Sequence, residues 1–176
     1  MNQTVTIKIK LLIGKTPEFE DLTQRFSAVC NYVSNWIFTH DFELNQAVIN
    51  KCLYYEIRNK FKIKAQLTQS AIRTTVAKYK TVKTQLTKKK WHYDDKSTNT
   101  NYYAKRDLTW LQKPIQFNVP QAELQRNRDW SIVQNRLSIN TLDKCIKTDY
   151  ICKGFNQDLD ESWKLGLGNS NPKFTK

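Results

Sequence analysis

The sequence predicts an α+β fold in which a small antiparallel sheet or barrel is interrupted by a bundle of helices. Three observations carry this. A period-two strand opens the chain, helical periodicity follows to about residue 88, and period-two segments return after residue 106. A chain of 176 residues has room for one good core or two small modules.

Each element has a local reason. Thr4 to Ile13, "TVTIKIKLLI", sets Val5, Ile7, Ile9 and Leu11 against Thr and Lys, as a half-buried strand does, and Gly14 ends it. Thr16 suits an N-cap, Pro17 the first helical position, and Glu18 and Glu20 the positive end of a helix dipole. Phe19, Leu22, Phe26, Val29, Val33, Trp36 and Ile37 then recur at spacings of three and four, which takes the first helix to about Thr39. A second helix is expected from Asn45 to Asn59, with Val48, Cys52, Tyr55 and Ile57 on its buried side. The third starts near Lys64 and reaches towards Lys88, its core stripe being Ala65, Ile72, Val76, Tyr79 and Leu86.

The polar segment Lys88 to Arg106 breaks the periodicity and reads as a loop. Pro114 to Val119, Asp129 to Gln134, Arg136 to Ile139 and Lys144 to Ile151 read as strands, with Asn135 in a tight connection. The first strand is expected to join these later ones. That makes residues 1–15 and 109–165 the barrel, 16–108 a helical insertion, and 166–176 a weakly structured tail.

Lys and Arg outnumber Asp and Glu 29 to 16, for a formal charge of +13. Such a balance points to a polyanionic partner, most often nucleic acid. Five Trp and eight Tyr are many for a disordered basic tail. No apolar run is long enough for a membrane span, and the start of the chain has no secretory apolar block. Cys30, Cys52, Cys145 and Cys152 form no paired motif, so neither a zinc site nor any other cofactor is expected, and reduced thiols in a cytoplasm are. Cys30 and Cys52 read as small core side chains. His40 and His92 read as surface residues, and Asp129 and Asp143 as turn or strand-edge residues without convergent carboxylates.

The third helix carries the main functional signal. Gln66, Gln69, Ser70, Arg73, Lys80 and Thr84 share a face broken only by Ala77. From Ile57 to Tyr93 there is no acidic residue, against eleven Lys or Arg. A solvated helix normally mixes both signs, so an external polyanion explains this face better than a bare basic surface does. Gln reads base edges, while Lys, Arg and Ser hold phosphates. Lys64, Arg73, Lys80, Lys88, Lys89 and Lys90 are candidate backbone contacts, joined by Arg126 and Arg128 in "QRNRDW". Tyr102 and Tyr103, between basic residues, are candidates to stack on unpaired RNA bases, and Trp110 reads as core.

"TVTIKIKLL", "TPEFEDL" and "CNYVSNWI", then "LYYEIRNKFKIKAQLTQSAIRTTVAKYK", then "IQFNVPQAELQRNRDWSIVQNRLSINTLDKCIKTDY", in that order, resemble the N-terminal part of TnpB proteins. These are RNA-guided nucleases of bacterial insertion sequences, related to compact type V CRISPR effectors. The resemblance covers about residues 3 to 165. It implies an oligonucleotide-binding β-barrel with a helical recognition insertion, holding a guide RNA and reading a short motif beside a double-stranded DNA target. By position, Gln46, Gln69, Ser70 and Asn118 would be the motif readers. The family continues into a RuvC-like nuclease and a zinc ribbon, neither of which this sequence shows. Lys144 and Cys145 also stand where the family usually has Gly and Arg. The expectation is therefore a catalytically empty binder in a bacterial cytoplasm. The alternatives are the recognition half of an endonuclease completed by a nuclease partner in trans, and an inert degenerate transposon product.

Overall fold

The computed structural model describes residues 8–14, 16–88, 91–95, 100–104, 106–134, 136–153 and 173–175. Their order is β1 (Lys8–Leu11), α1 (Pro17–Thr39), α2 (Gln46–Phe61), α3 (Ala65–Lys88), β2 (Trp91–Asp95), β3 (Thr100–Ala104), a 3-10 turn (Leu108–Trp110), β4 (Gln121–Glu123), β5 (Trp130–Val133), β6 (Arg136–Asn140), β7 (Cys145–Thr148), β8 (Tyr150–Lys153) and β9 (Lys173–Thr175). The fold is α+β. The chain divides into two compact units, Arg25–Val119 and Met1–Gln24 with Pro120–Lys176.

The helical unit forms because three amphipathic stripes find one another. Phe26, Val29, Val33 and Ile37 of α1, Ile49, Leu53 and Ile57 of α2, and Leu67, Ile72 and Val76 of α3 are all buried. Each such side chain stabilises the fold by about 1.5–3 kcal/mol. Small residues let α1 and α3 approach closely: Cys30 Sγ lies 3.8 Å from the Ala71 carbonyl, and Thr75 Oγ1 donates to the Cys30 carbonyl at 3.4 Å. Between α1 and α2, the Tyr32 hydroxyl donates to Glu56, whose carboxylate pushes the phenol's pKa up. The buried side of α2 differs from expectation. Val48, Cys52 and Tyr55 are exposed, and the stripe one residue along, Ile49–Leu53–Ile57, is buried instead. Two apolar stripes overlap on this helix, and the longer aliphatic one packs. Lys62 then closes α2 in the left-handed conformation (φ 51°), its N–H bonded to the Arg58 carbonyl at 3.1 Å.

Pro114 to Val119, expected as a strand from its alternation, is not one. Its backbone is bonded to side chains instead. Asn31 accepts from the Phe117 N–H at 2.7 Å and donates to the Phe117 carbonyl at 3.4 Å. Ser34 donates to the Ile115 carbonyl at 2.6 Å, and Ser27 to the Val119 carbonyl at 3.4 Å. Tyr79 accepts from the Ile115 N–H at 3.3 Å while donating to the Ser34 carbonyl at 3.0 Å. Ser27, Asn31 and Ser34, spaced three and four apart, make a polar stripe on α1 that serves as the missing neighbouring strand. Lys88 to Arg106 is likewise corrected from a loop: β2 and β3 pair antiparallel, with Trp91 opposite Ala104. Their Thr and aromatic residues favour strands.

In the strand unit β1 pairs antiparallel with β8, Ile9 opposite Cys152, so the first strand does join the late ones. Strands β5, β6 and β7 form a meander, and Gln134 takes φ 50° in the two-residue connection of β5 to β6, as tight hairpins require. The expected single strand Lys144 to Ile151 is two strands broken at Asp149. β7 pairs with β6 while β8 pairs with β1, so the chain changes sheets at this corner. Asp149 fixes it, its carbonyl accepting from the Leu12 N–H at 2.9 Å and its carboxylate from Arg136 at 3.0 Å. Lys173–Thr175, expected in a weakly structured tail, pairs with β4. Among the described residues the sheets do not close into a barrel. No helix is long and apolar enough to cross a membrane among these residues.

Candidate nucleic-acid interface

The exposed strip of α3 is nearly the one its sequence draws. Gln69, Ala77, Lys80 and Thr84 are exposed, and Gln66 and Arg73 half-buried. Ser70 departs from it. The side chain is fully buried, and its hydroxyl accepts from Arg73 at 3.3 Å, so it does not face a partner as a motif reader must. Its small size suits the crowded side of α3 that also carries Leu67, Ala71 and Thr75, all buried.

Gln69 is held rather than loose. Its carboxamide pairs with that of Asn50 on α2 by two hydrogen bonds, Asn50 Nδ2 to Gln69 Oε1 at 2.9 Å and Gln69 Nε2 to Asn50 Oδ1 at 3.0 Å. Asn50 was not among the sequence candidates. No signal short of the helix pairing marks it, because a lone polar residue at a helix edge is ordinary. Gln46 is exposed at the first position of α2, one helical turn before Asn50, next to the N-cap Asn45 whose side chain accepts from the Ala47 N–H at 3.0 Å. Asn50 and Gln69 thus join α2 to α3, with Gln46 one turn before Asn50 and Arg73 one turn after Gln69.

The cations follow the same hairpin. Arg58, Lys60, Lys62, Lys64, Lys78, Lys80, Lys83 and Lys88 are all exposed, while Lys89 and Lys90 lie outside the described residues. Two of the exposed cations stack on aromatic faces: Lys60 Nζ sits 4.3 Å from the centre of the Tyr32 ring, and Arg58 5.6 Å from that of Tyr54. Trp110 is exposed, not core, with the Arg106 guanidinium 5.2 Å from its ring centre. Asp107 caps that 3-10 turn, and donation from the Thr109 hydroxyl and N–H holds its carboxyl below the ordinary range.

Asn118 is exposed between the pinned Phe117 and Val119, facing away from the α1 stripe that holds its neighbours. Tyr102 and Tyr103 lie on β3, opposite Tyr93 and His92 in register. Arg126 and Arg128 belong to the strand unit, on a loop closed by buried Asp129, whose carboxylate accepts from the Gln125 N–H at 2.8 Å. This structural role agrees with reading Asp129 as a turn residue. His40 is exposed and stacked on Trp36, with ring centres 4.1 Å apart. Cys30 is buried as expected, whereas Cys52 is exposed. Among the described residues no cluster of three His, Cys, Asp or Glu side chains is placed to hold a metal ion.

No family model matches the chain, and no curated protein or solved structure matches it.

Proposed function

We propose that the chain is a TnpB-like nucleic-acid-binding module that holds a guide RNA, reads DNA beside the guided target, and does not cut. One observation carries this reading. Eleven Lys or Arg and no Asp or Glu lie between Ile57 and Tyr93, and eight of those cations are exposed on and around the α2–α3 hairpin. A stretch this rich in cations that contains no acidic residue favours an external polyanion. The Asn50–Gln69 amide pair on the same hairpin supports base reading in addition to phosphate contact. The strand unit serves in this proposal as an oligonucleotide-binding barrel, a reading supported by the strand that changes sheets at Asp149.

The test is to express the chain with its flanking non-coding DNA and sequence the RNA it retains on purification. One discrete structured transcript is the expected result. A smear of cellular RNA, displaced equally well by heparin, overturns the guide-RNA reading and leaves only a basic surface.

A further inference from the structure

We propose that Asn50 and Gln69 act together as one composite reading edge for adenine. The inference rests on the nucleic-acid reading above and deepens it to a base identity and a second residue.

The chemistry follows from the pairing. A primary amide has two N–H donors and an oxygen with two lone pairs. The head-to-tail pair uses one donor and one lone pair from each side chain. What remains lies along the two outer edges of the cyclic pair. On each edge the second N–H of one amide lies beside the second lone pair of the other, across a hydrogen bond of 2.9 or 3.0 Å. Whichever edge faces solvent therefore offers one donor next to one acceptor. Exchanging nitrogen and oxygen in both amides returns the same pattern.

That pattern complements one base. In the major groove adenine presents N7 as acceptor beside the N6 amino donor. Guanine presents two acceptors, N7 and O6, so one of them would face an oxygen lone pair of the composite edge. Cytosine offers a donor alone, and thymine an acceptor beside a methyl group. An isolated Gln reads adenine with its own oxygen and nitrogen together. In Gln69 that edge is already occupied by Asn50, so Gln69 alone would first have to break two hydrogen bonds. The pair, by contrast, is already ordered, which removes part of the entropy cost of fixing long side chains on binding. Arg73 and Gln46, one turn from each partner along their helices, flank the edge with a cation and a further amide.

The experiment uses the full chain with the RNA it retains, and a pool of DNA duplexes randomised over a short window. Bound duplexes are sequenced for wild type, Asn50→Ala, Gln69→Ala and the exchanged pair Asn50→Gln with Gln69→Asn. Wild type is expected to enrich adenine at one position by about five- to a hundredfold, the range of one bidentate base contact. Both alanine variants lose that enrichment at the same position, and the exchanged pair keeps it. Replacing the selected adenine by 7-deazaadenine, which lacks the N7 acceptor, weakens wild type by a similar factor and leaves Asn50→Ala unchanged. This last comparison on wild type needs no variant to fold, and melting curves separate loss of reading from loss of structure in the others. Adenine enrichment lost in Gln69→Ala but kept in Asn50→Ala overturns the composite edge and leaves the nucleic-acid reading standing. Enrichment untouched by either variant also overturns the composite edge. Absence of any base preference in wild type overturns the composite edge and motif reading together.

Discussion

The two units treat positive charge differently. In the strand unit, two cations meet acids of the same unit: Lys144 Nζ lies 2.5 Å from Glu18, and Arg136 Nε 3.0 Å from Asp149. Both pairs fasten one element to another, α1 to the β6–β7 turn and β6 to the corner before β8. In the helical unit the densest run of cations has no acid within it, and two of its members rest on tyrosine rings. An aromatic face holds an ammonium in place without neutralising it. These two ion pairs of the strand unit serve internal geometry, whereas the cations of the helical run lie in a stretch with no carboxylate of its own.

The largest effect should come from reversing charge in the two places. Lys80→Glu with Lys88→Glu changes the net charge as much as Arg136→Glu with Lys144→Glu does. A merely basic protein would lose affinity for RNA equally in both. The expected outcome is loss only in the first, with a drop of about 1.4–1.8 in the slope of log affinity against log salt if each lysine meets one phosphate. A salt titration by fluorescence anisotropy checks this, and equal losses would mean that the two sets of cations are equivalent towards RNA.

An intermediate effect concerns the pinned segment of the helical unit. Asn31→Ala leaves the buried Phe117 backbone without its two side-chain bonds, at a cost of about 1–3 kcal/mol. Denaturant unfolding should show it, while Asn35→Ala, on the exposed side of α1, should stay within about 0.5 kcal/mol of wild type.

The smallest effect belongs to the strand unit. Lys144 donating to Glu18, helped by the Glu18 backbone N–H, holds that carboxyl below its ordinary value of 4.5. A depressed carboxylate contributes stability above its unfolded pKa and loses it as pH falls through the folded one. Wild type should therefore lose slightly more stability than Glu18→Gln as pH drops from 6 towards 3. Parallel melting curves for the two proteins would show that the pair, partly exposed, contributes nothing measurable.

Much of this was legible because periodicity is local. The 3.6-residue pattern of α1 and the alternation of β1, β5 and β6 locate those elements, and a strand before the helices implies a later partner, found as β8. What failed depended on neighbours. Nothing within α2 says whether Val48–Cys52–Tyr55 or Ile49–Leu53–Ile57 turns inward; α1 and α3 decide it. Ser70 looks like a surface residue by type but is small enough for a helix crossing. Asn50 becomes visible only when α3 brings Gln69 to it. The alternation in "PIQFNV" predicted a strand, yet could not tell a strand partner from a helix that offers Ser and Asn at the right spacing.

That last segment has a consequence for how the gene can change. Connections between elements ordinarily absorb insertions and deletions. This one cannot, because odd-numbered residues from Ile115 to Val119 are fastened to α1 and even-numbered Gln116 and Asn118 are left outward. Losing a single codon upstream of Phe117 would exchange the two sets, turning Asn118 towards the helix and a phenylalanine to water. Lineages that keep the outward asparagine should therefore keep the length of this stretch as strictly as that of any helix, while outward Gln116 remains free to drift.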